Sequence, residues 1–264
     1  MPDENFRTIL QSIARQKSSI VTVFADFCRI AACASALQTR EDEYFEAIKS
    51  YSKEELSLIA KAYAHLIQEM EQKPFCDVLG PYYIEIASHS SKQARGEFYT
   101  PPEVSELLAR ISMDAPTVIA EGKAITVNDP CCGSGGMLLA LAKQFSPIIL
   151  GGEVSHVDLL RVTCQDINPV AVDMCYLNTT MWGIPATMIL GNGLNAETNK
   201  VWSNIHWFRV EEDQRQALLE MMQFLKSPPT EERRGITEFQ RTEPVAASQA
   251  ELDLFSNPHI LRER

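Results

Sequence analysis

One stretch, Asn128-Asp129-Pro130-Cys131-Cys132-Gly133-Ser134-Gly135-Gly136, most restricts what this chain can become. It joins a short apolar run, Ala124 to Asn128, to an apolar helix from Met137 to Gln144, with three glycines in four positions. A strand that turns this tightly into a helix is a building unit of a parallel sheet. The pattern recurs downstream. Arg161 to Cys164 is a second short run ending at Asp166, Pro169 to Trp182 is a helix, and Thr187 to Leu190 is a third run ending at Gly191-Asn192. Strand, helix, strand, helix, strand, with polar residues at each strand's C-terminal end, sets the fold class as α/β, a doubly wound Rossmann-like sheet.

What precedes the sheet is helical. Phe6, Ile9, Leu10 and Ile13 recur at helical spacing, and Ile20 to Leu37 is rich in Ala and apolar residues. Ser52-x-x-Glu55 is a capping box that opens a helix with Leu56, Ile59, Tyr63 and Leu66-Ile67 on one face. A shorter helix covers about Cys76 to Ala87, and Pro101-Pro102 introduces another over Glu103 to Ile111. The domain reading is a helical region over 1–90, a sheet domain over 91–208, and over 209–264 a helix (Glu211 to Lys226) with a mobile tail rich in Pro, Glu, Arg, Ser and Thr.

Charge bears on what the chain can hold. With 24 basic and 35 acidic side chains the formal net charge is −11. The acidic excess is −1 over residues 1–50, −8 over 51–199 and −2 over 200–264, so no segment has a basic surplus for gripping a phosphate backbone unaided. Ser18 to Leu37, the longest stretch poor in charge, still carries Asp26 and Arg29 and reads as a buried helix rather than a membrane span. Met-Pro-Asp-Glu-Asn lacks the basic start of a signal peptide, so a cytoplasmic protein is expected. Seven cysteines without a Cys-x-x-Cys or a zinc-type Cys/His spacing are expected to be reduced, mostly buried thiols, with no metal site.

The three strand ends carry chemistry. The Gly-rich turn lets backbone approach a ligand, and no Gly-Lys-Ser/Thr or Gly-x-Gly-x-x-Gly marks it as a phosphate loop or dinucleotide fingerprint. Asp129 at its start suits a ligand with an ammonium or sulfonium rather than a pyrophosphate. Asp166, at the next strand end, can accept both hydroxyls of a ribose, and Ile167 can cover one face of an adenine. The amide of Asn192 in Gly191-Asn192-Gly193-Leu194 can reach the adenine amine.

With Gly96-Glu97-Phe98-Tyr99-Thr100-Pro101 upstream and Gln165-Asp166-Ile167-Asn168-Pro169 downstream of the Gly-rich turn, the chain resembles the adenine-specific (N6) DNA methyltransferases. It is most similar to the modification subunit of type I restriction-modification systems. Asp77-Val78-Leu79-Gly80-Pro81-Tyr82 is similar to the last N-terminal helix of that family, so the likeness spans roughly residues 75–195. The resemblance implies an S-adenosylmethionine-dependent methyltransferase fold. It also implies a site for that cofactor: Phe98, Tyr99, Thr100 and Pro101 at the methionine end, Asp129 and Gly133 beside the ammonium with Pro130, Cys132, Ser134 and Gly135 completing the turn, Asp166 at the ribose, and Ile167 and Asn192 at the adenine.

One family element is missing. The family accepts the hydrogens of a flipped-out adenine amine with Asn or Asp, Pro, Pro and then an aromatic residue. No such tetrapeptide occurs here. Ser203-Asn204-Ile205-His206-Trp207-Phe208, 12 residues after Asn192, keeps an Asn and an aromatic three apart, making Asn204 and Trp207 the candidate catalytic pair without the stiffening prolines. Ser227-Pro228-Pro229-Thr230 has the prolines without the aromatic. Only 56 residues follow Phe208, too few for the family's remaining strands, so either the sheet is truncated or another chain completes it. In the tail, Gln249-x-Glu251-Leu252-Asp253-Leu254-Phe255 is similar to peptides that dock on the bacterial sliding clamp through residues such as Leu252, Leu254 and Phe255.

Three readings stand: an S-adenosylmethionine-dependent enzyme that methylates adenine in DNA with a partner or specificity-type subunit; a catalytically inactive relative that regulates DNA modification or restriction; and an acidic interaction protein that mimics a modification subunit. The intact cofactor motifs weigh against pure mimicry, and the lost prolines weigh against efficient catalysis by the chain alone.

Overall fold

The computed structural model describes residues 4–17, 19–90, 100–146, 156–213 and 216. The expectations for Phe98 and Tyr99, for the helix and tail beyond residue 213, for Ser227-Pro228-Pro229-Thr230 and for Leu252, Leu254 and Phe255 lie outside these residues. The chain divides into two units, residues 1–213 and 214–264, and the fold that follows is that of the first.

Local sequence explains the helices. Asn5 and Thr8 close a capping box at the start of α1 (Phe6–Gln16), which buries Phe6, Ile9, Leu10 and Ile13 as their spacing requires. Ser19 caps α2 (Ile20–Ala34), and a short α3 (Glu41–Ile48) follows. The expected capping box of Ser52 and Glu55 opens α4 (Lys53–Gln72), whose buried face is Ile59, Ala62, Leu66 and Met70. Next come α5 (Leu79–Ser90), α6 (Pro102–Ser112) and α7 (Ala115–Glu121), the last absent from the sequence reading and closed by Gly122 at φ +62°.

The sheet begins with β1 (Ile125–Asp129), followed by α8 (Gly136–Lys143), a single turn α9 (His156–Leu159), β2 (Leu160–Asp166), α10 (Pro169–Met181), β3 (Ala186–Leu190) and β4 (Lys200–Ser203). Strand order is β1-β2-β3-β4, parallel as far as β3, with β4 antiparallel to it. Among the described residues this is part of the expected Rossmann-like sheet, its strand order running in one direction without the reversal of a doubly wound sheet. Helix α10 is buried over every residue from Ala171 to Thr179 and packs on one side against β2 and β3 and on another against α2, so the N-terminal helices and the sheet share one apolar core. An aromatic group of Phe6, Phe24, Phe27 and Tyr82 fills the helical end of that core.

Two features of the sheet matter for function. Val162 N–H donates to Pro185 O, so β2 turns the amides of its even-numbered residues to β3 and those of its odd-numbered residues to β1. The β1–β2 register then leaves the N–H and C=O of Thr126 and Asn128 pointing out from β1, whose outer edge has no partner strand among the described residues.

The second feature is β4, which sequence reasoning missed. The chain reverses over 191–199, with Asn199 N–H on Leu190 O at 2.8 Å and Ala196 at φ +56°. Returning, β4 carries Trp202 onto the helical layer. The Trp202 indole N–H donates to Glu43 at 2.7 Å, and its ring lies 4.3 Å from the Arg40 guanidinium carbon. Arg40 is buried and pairs through Nη2 with Asp173 of α10 at 2.9 Å and with Glu43 at 3.2 Å.

A buried pair of this kind is costly to break from one side. Arg40→Met, which strands the Asp173 carboxylate, is expected to lower unfolding stability by about 3–5 kcal/mol. Arg40→Met combined with Asp173→Leu is expected to recover most of the loss, as read by urea denaturation.

Candidate functional site

The C-terminal ends of β1, β2 and β3 converge on one edge, because the register sets Asp129 beside Cys164 and Asp166 beside Leu190. Asp166 is buried and organises this edge. Its Oδ2 accepts the Gly133 N–H at 2.9 Å and its Oδ1 accepts the Asn168 N–H at 2.9 Å. A carboxylate has about four acceptor positions, so two bonds to backbone leave it capacity for ligand hydroxyls. Ile167 beside it is 68% exposed, an apolar surface at the mouth of the site.

Asp129 is half-buried, and its Oδ1 accepts the Cys131 N–H at 3.2 Å. Burial raises its carboxyl above the ordinary range, the Cys131 N–H offsets part of that, and the negative charge of Asp166 adds to it. Among the described residues neither carboxylate makes an ion pair. Two neighbouring carboxylates at strand ends, without a protein cation between them, fit a positively charged ligand that bears hydroxyls.

The third loop closes onto the first. A Cβ on Gly193 would come within 2.4 Å of Pro130 O, so only glycine lets the 191–195 loop rest on the Asp129-Pro130 turn. Asn192 sits half-buried there, with its side-chain oxygen accepting the Leu194 N–H at 3.0 Å. Thr100 and Pro101 line a cavity of about 310 Å³ together with Asp77, Ser105 and Gly136 at the start of α8. Asp129, Pro130, Gly133, Asp166, Ile167 and Asn192 thus gather at the strand ends, and Thr100 and Pro101 lie at the start of the helix that follows the turn.

Other proposed contacts turn inward. The Ser134 hydroxyl is buried and donates to Asp77. Cys132 sits in the core, and Gly135, at φ +87°, backs onto Cys175, where a Cβ would meet Sγ at 3.0 Å. These three shape the turn from behind. Among the described residues no group of His, Cys, Asp or Glu could hold a metal.

Asn204 and Trp207 are elsewhere. Asn204 is buried at the opposite end of β3, where its side chain accepts from Ala186 N–H at 3.2 Å and Trp207 N–H at 3.0 Å and donates to Ile184 O at 2.8 Å. One strand length, roughly 13 Å at ~3.3 Å per residue, separates Ala186 from Leu190. Every polar atom of the Asn204 amide is occupied by backbone, and Trp207 gives its indole N–H to Glu211 at 2.7 Å. The antiparallel return of β4 carries this pair away from the edge formed by Asp129 and Asp166.

Residues 75–217 match the N-6 DNA methylase family, which is more than half of the chain. The chain belongs to that family. It is 29% identical over 194 residues to the type I restriction enzyme MpnII methylase subunit of Mycoplasma pneumoniae, a match covering 71% of this chain and 31% of that protein. The chain therefore spans about a third of that relative. Three solved structures show more distant likeness. A Listeria monocytogenes protein described as a class I S-adenosylmethionine-dependent methyltransferase superposes with a TM-score of 0.43 at 16% identity, over 72% of this chain and 53% of that one. A type I modification subunit from Vibrio vulnificus gives 0.33 at 16% identity (58% and 27% of the two chains). A type I methyltransferase subunit from Streptococcus thermophilus gives 0.34 at 20% identity (70% and 43%). The family's methyl donor is S-adenosylmethionine, a sulfonium with an ammonium group and a ribose, which is the ligand chemistry these strand ends suit.

In this member of the N-6 DNA methylases, a residue that sequence reasoning did not assign to the site holds the turn. Asp77 caps α5 by accepting the N–H groups of Leu79 and Gly80 at 3.1 and 3.0 Å. It also accepts from the Ser134 hydroxyl and from Asn178 Nδ2 of α10 at 3.0 Å, while that same Nδ2 donates to Ser134 O at 2.8 Å. Its sequence signal was its place at the head of the family-like segment Asp77 to Tyr82; the expected helix from about Cys76 begins instead at Leu79, which frees Asp77 to cap it. Asp77→Ala is expected to cost about 2–3 kcal/mol, from a lost cap and unpaired buried donors. It is also expected to speed amide exchange at Gly133 and Gly135, while Asp77→Asn costs less; exchange mass spectrometry and thermal unfolding check both.

Proposed function

We propose that this chain binds S-adenosylmethionine at the C-terminal ends of β1, β2 and β3 and serves adenine-N6 methylation of DNA together with a partner polypeptide. The observation that carries this reading is the pair of carboxylates, Asp129 and Asp166, lacking an ion-pair partner among the described residues and flanked by the exposed Ile167. Asp129 faces the ammonium, Asp166 takes the ribose hydroxyls, and Ile167 and Asn192 flank the adenine. Thr100 and Pro101 lie at the methionine end. The bound cofactor supplies an electrophilic methyl group on its sulfonium.

The partner is called for on three grounds. The Asn204 amide is spent on backbone, so acceptors for the adenine amine come from outside the described residues, and a partner polypeptide can supply them. The charge of −11 gives this chain a poor hold on DNA, which a specificity-type subunit of a restriction-modification system would supply. The outer edge of β1, without a partner strand among the described residues and with Thr126 and Asn128 turned outward, offers a place where a further strand can join. The alternative, a regulator of DNA modification that binds the cofactor without transferring its methyl group, shares the same site. The two diverge once a partner is added.

Titration calorimetry is expected to show S-adenosylmethionine binding that Asp166→Asn and Ile167→Ala each weaken by roughly tenfold, or ~1.4 kcal/mol. Asn204→Ala is expected to lower stability and leave the affinity unchanged. Equal affinity for all variants would overturn the site. Labelled-methyl transfer onto unmethylated mixed-sequence DNA is expected to be absent with the chain alone, and transfer by the chain alone would overturn the need for a partner. For the tail, a peptide of residues 247–258 is expected to bind sliding clamp and to lose binding on Phe255→Ala. No binding at high micromolar concentration ends that docking mode.

A further inference from the structure

Helix α6 is amphipathic in the reverse sense. The side it turns to α8 is small: Ser105 and Ala109, one turn apart, are buried there, and Glu106 pairs with Lys143 of α8. Its large apolar side chains face out. Val104, Leu107 and Ile111 are 43%, 58% and 70% exposed, with Leu108 half-buried beside them. Positions 104, 107, 108 and 111 follow the i, i+3, i+4, i+7 rule, so they form one continuous stripe about 10 Å long at ~1.5 Å rise per residue. No other described helix exposes three large apolar residues; elsewhere they are scattered singly, as on any soluble surface.

The charges beside the stripe say what covers it. Glu103 and Arg110 are both exposed, seven residues apart, and so lie on the same flank of the stripe. When two such helices pack antiparallel about a two-fold axis, the Glu103 of each copy meets the Arg110 of the other, twice. In a parallel pairing the same flank of the two copies lies on opposite sides of the pair, so neither charge meets its counterpart. A surface that is self-complementary in this way suits an isologous contact.

We propose that α6 is the contact helix of a symmetric homodimer, in which two copies of this chain pack their Val104–Leu107–Ile111 stripes antiparallel with Glu103 opposite Arg110. The contact uses the outward face of the helix that follows Thr100 and Pro101, and its readout is mass, so it is tested independently of the cofactor reading.

The test is sedimentation equilibrium of the full chain in the micromolar range at physiological salt, where screening over ~8 Å weakens the general repulsion of two acidic chains. The expected result is a species of twice the chain mass. Ile111→Glu, at an exposed position that leaves thermal unfolding unchanged, is expected to weaken association at least tenfold. Glu103→Arg and Arg110→Glu each place like charges opposite one another and are expected to weaken it several-fold. An equimolar mixture of those two variants restores both attractive pairs and is expected to associate as the parent does. A parent that stays monomeric overturns the proposal and leaves the stripe to a different protein. A dimer indifferent to Ile111→Glu places the contact elsewhere, and a mixture no tighter than its components overturns the antiparallel arrangement.

Discussion

The carboxylate of Asp77 is the point on which this molecule's layers are joined. It receives the first amides of α5, the hydroxyl of the Gly-rich turn and the amide of a helix buried on all sides. These groups come from three separate parts of the chain, 57 residues apart in one case and 101 in another. A glycine-rich turn is flexible by composition and needs an outside anchor to hold one shape. Here the anchor lies on the helical region, so the N-terminal helices act as a wall of the site as well as a neighbour to it.

The second constraint is the hairpin that returns β4. A strand placed there by Trp202, Arg40 and Glu43 is fastened to the helical layer rather than offered to the open side of β1. This arrangement closes one side of the sheet, leaves the outer edge of β1 without a partner strand among the described residues, and commits Asn204 to holding the start of β3. Geometry therefore separates two functions that the family motifs place side by side: donor-binding groups remain at the strand ends, and the residue most like an acceptor becomes part of the frame.

Much of this was legible in the sequence wherever the cause is local. The capping box at Ser52, the periodicity of α1 and α4, and polar residues at three strand ends all operate over a few positions, and each element formed near where it was expected. What stayed hidden depends on long range or on direction. The strand β4 is four residues with an exposed start, and a tryptophan contact 159 residues away fixes it. Asn204 misled because the amide that would accept an adenine amine is equally suited to binding three backbone groups. In the Gly-rich turn, composition marked the loop but not which side each residue faces. Ser134, Cys132 and Gly135 consequently turned out to support the turn from behind.

Asp166 carries one further consequence. The oxygens that suit a ribose also tie the Gly-rich turn to the end of β2 through Gly133 and Asn168. Selection for folding alone would therefore preserve this aspartate, and with it much of the glycine pattern that marks the family. A lineage built this way can shed the chemistry and keep its signature for as long as the scaffold is needed. In such chains, a surviving motif dates the ancestry of the fold rather than the age of the reaction.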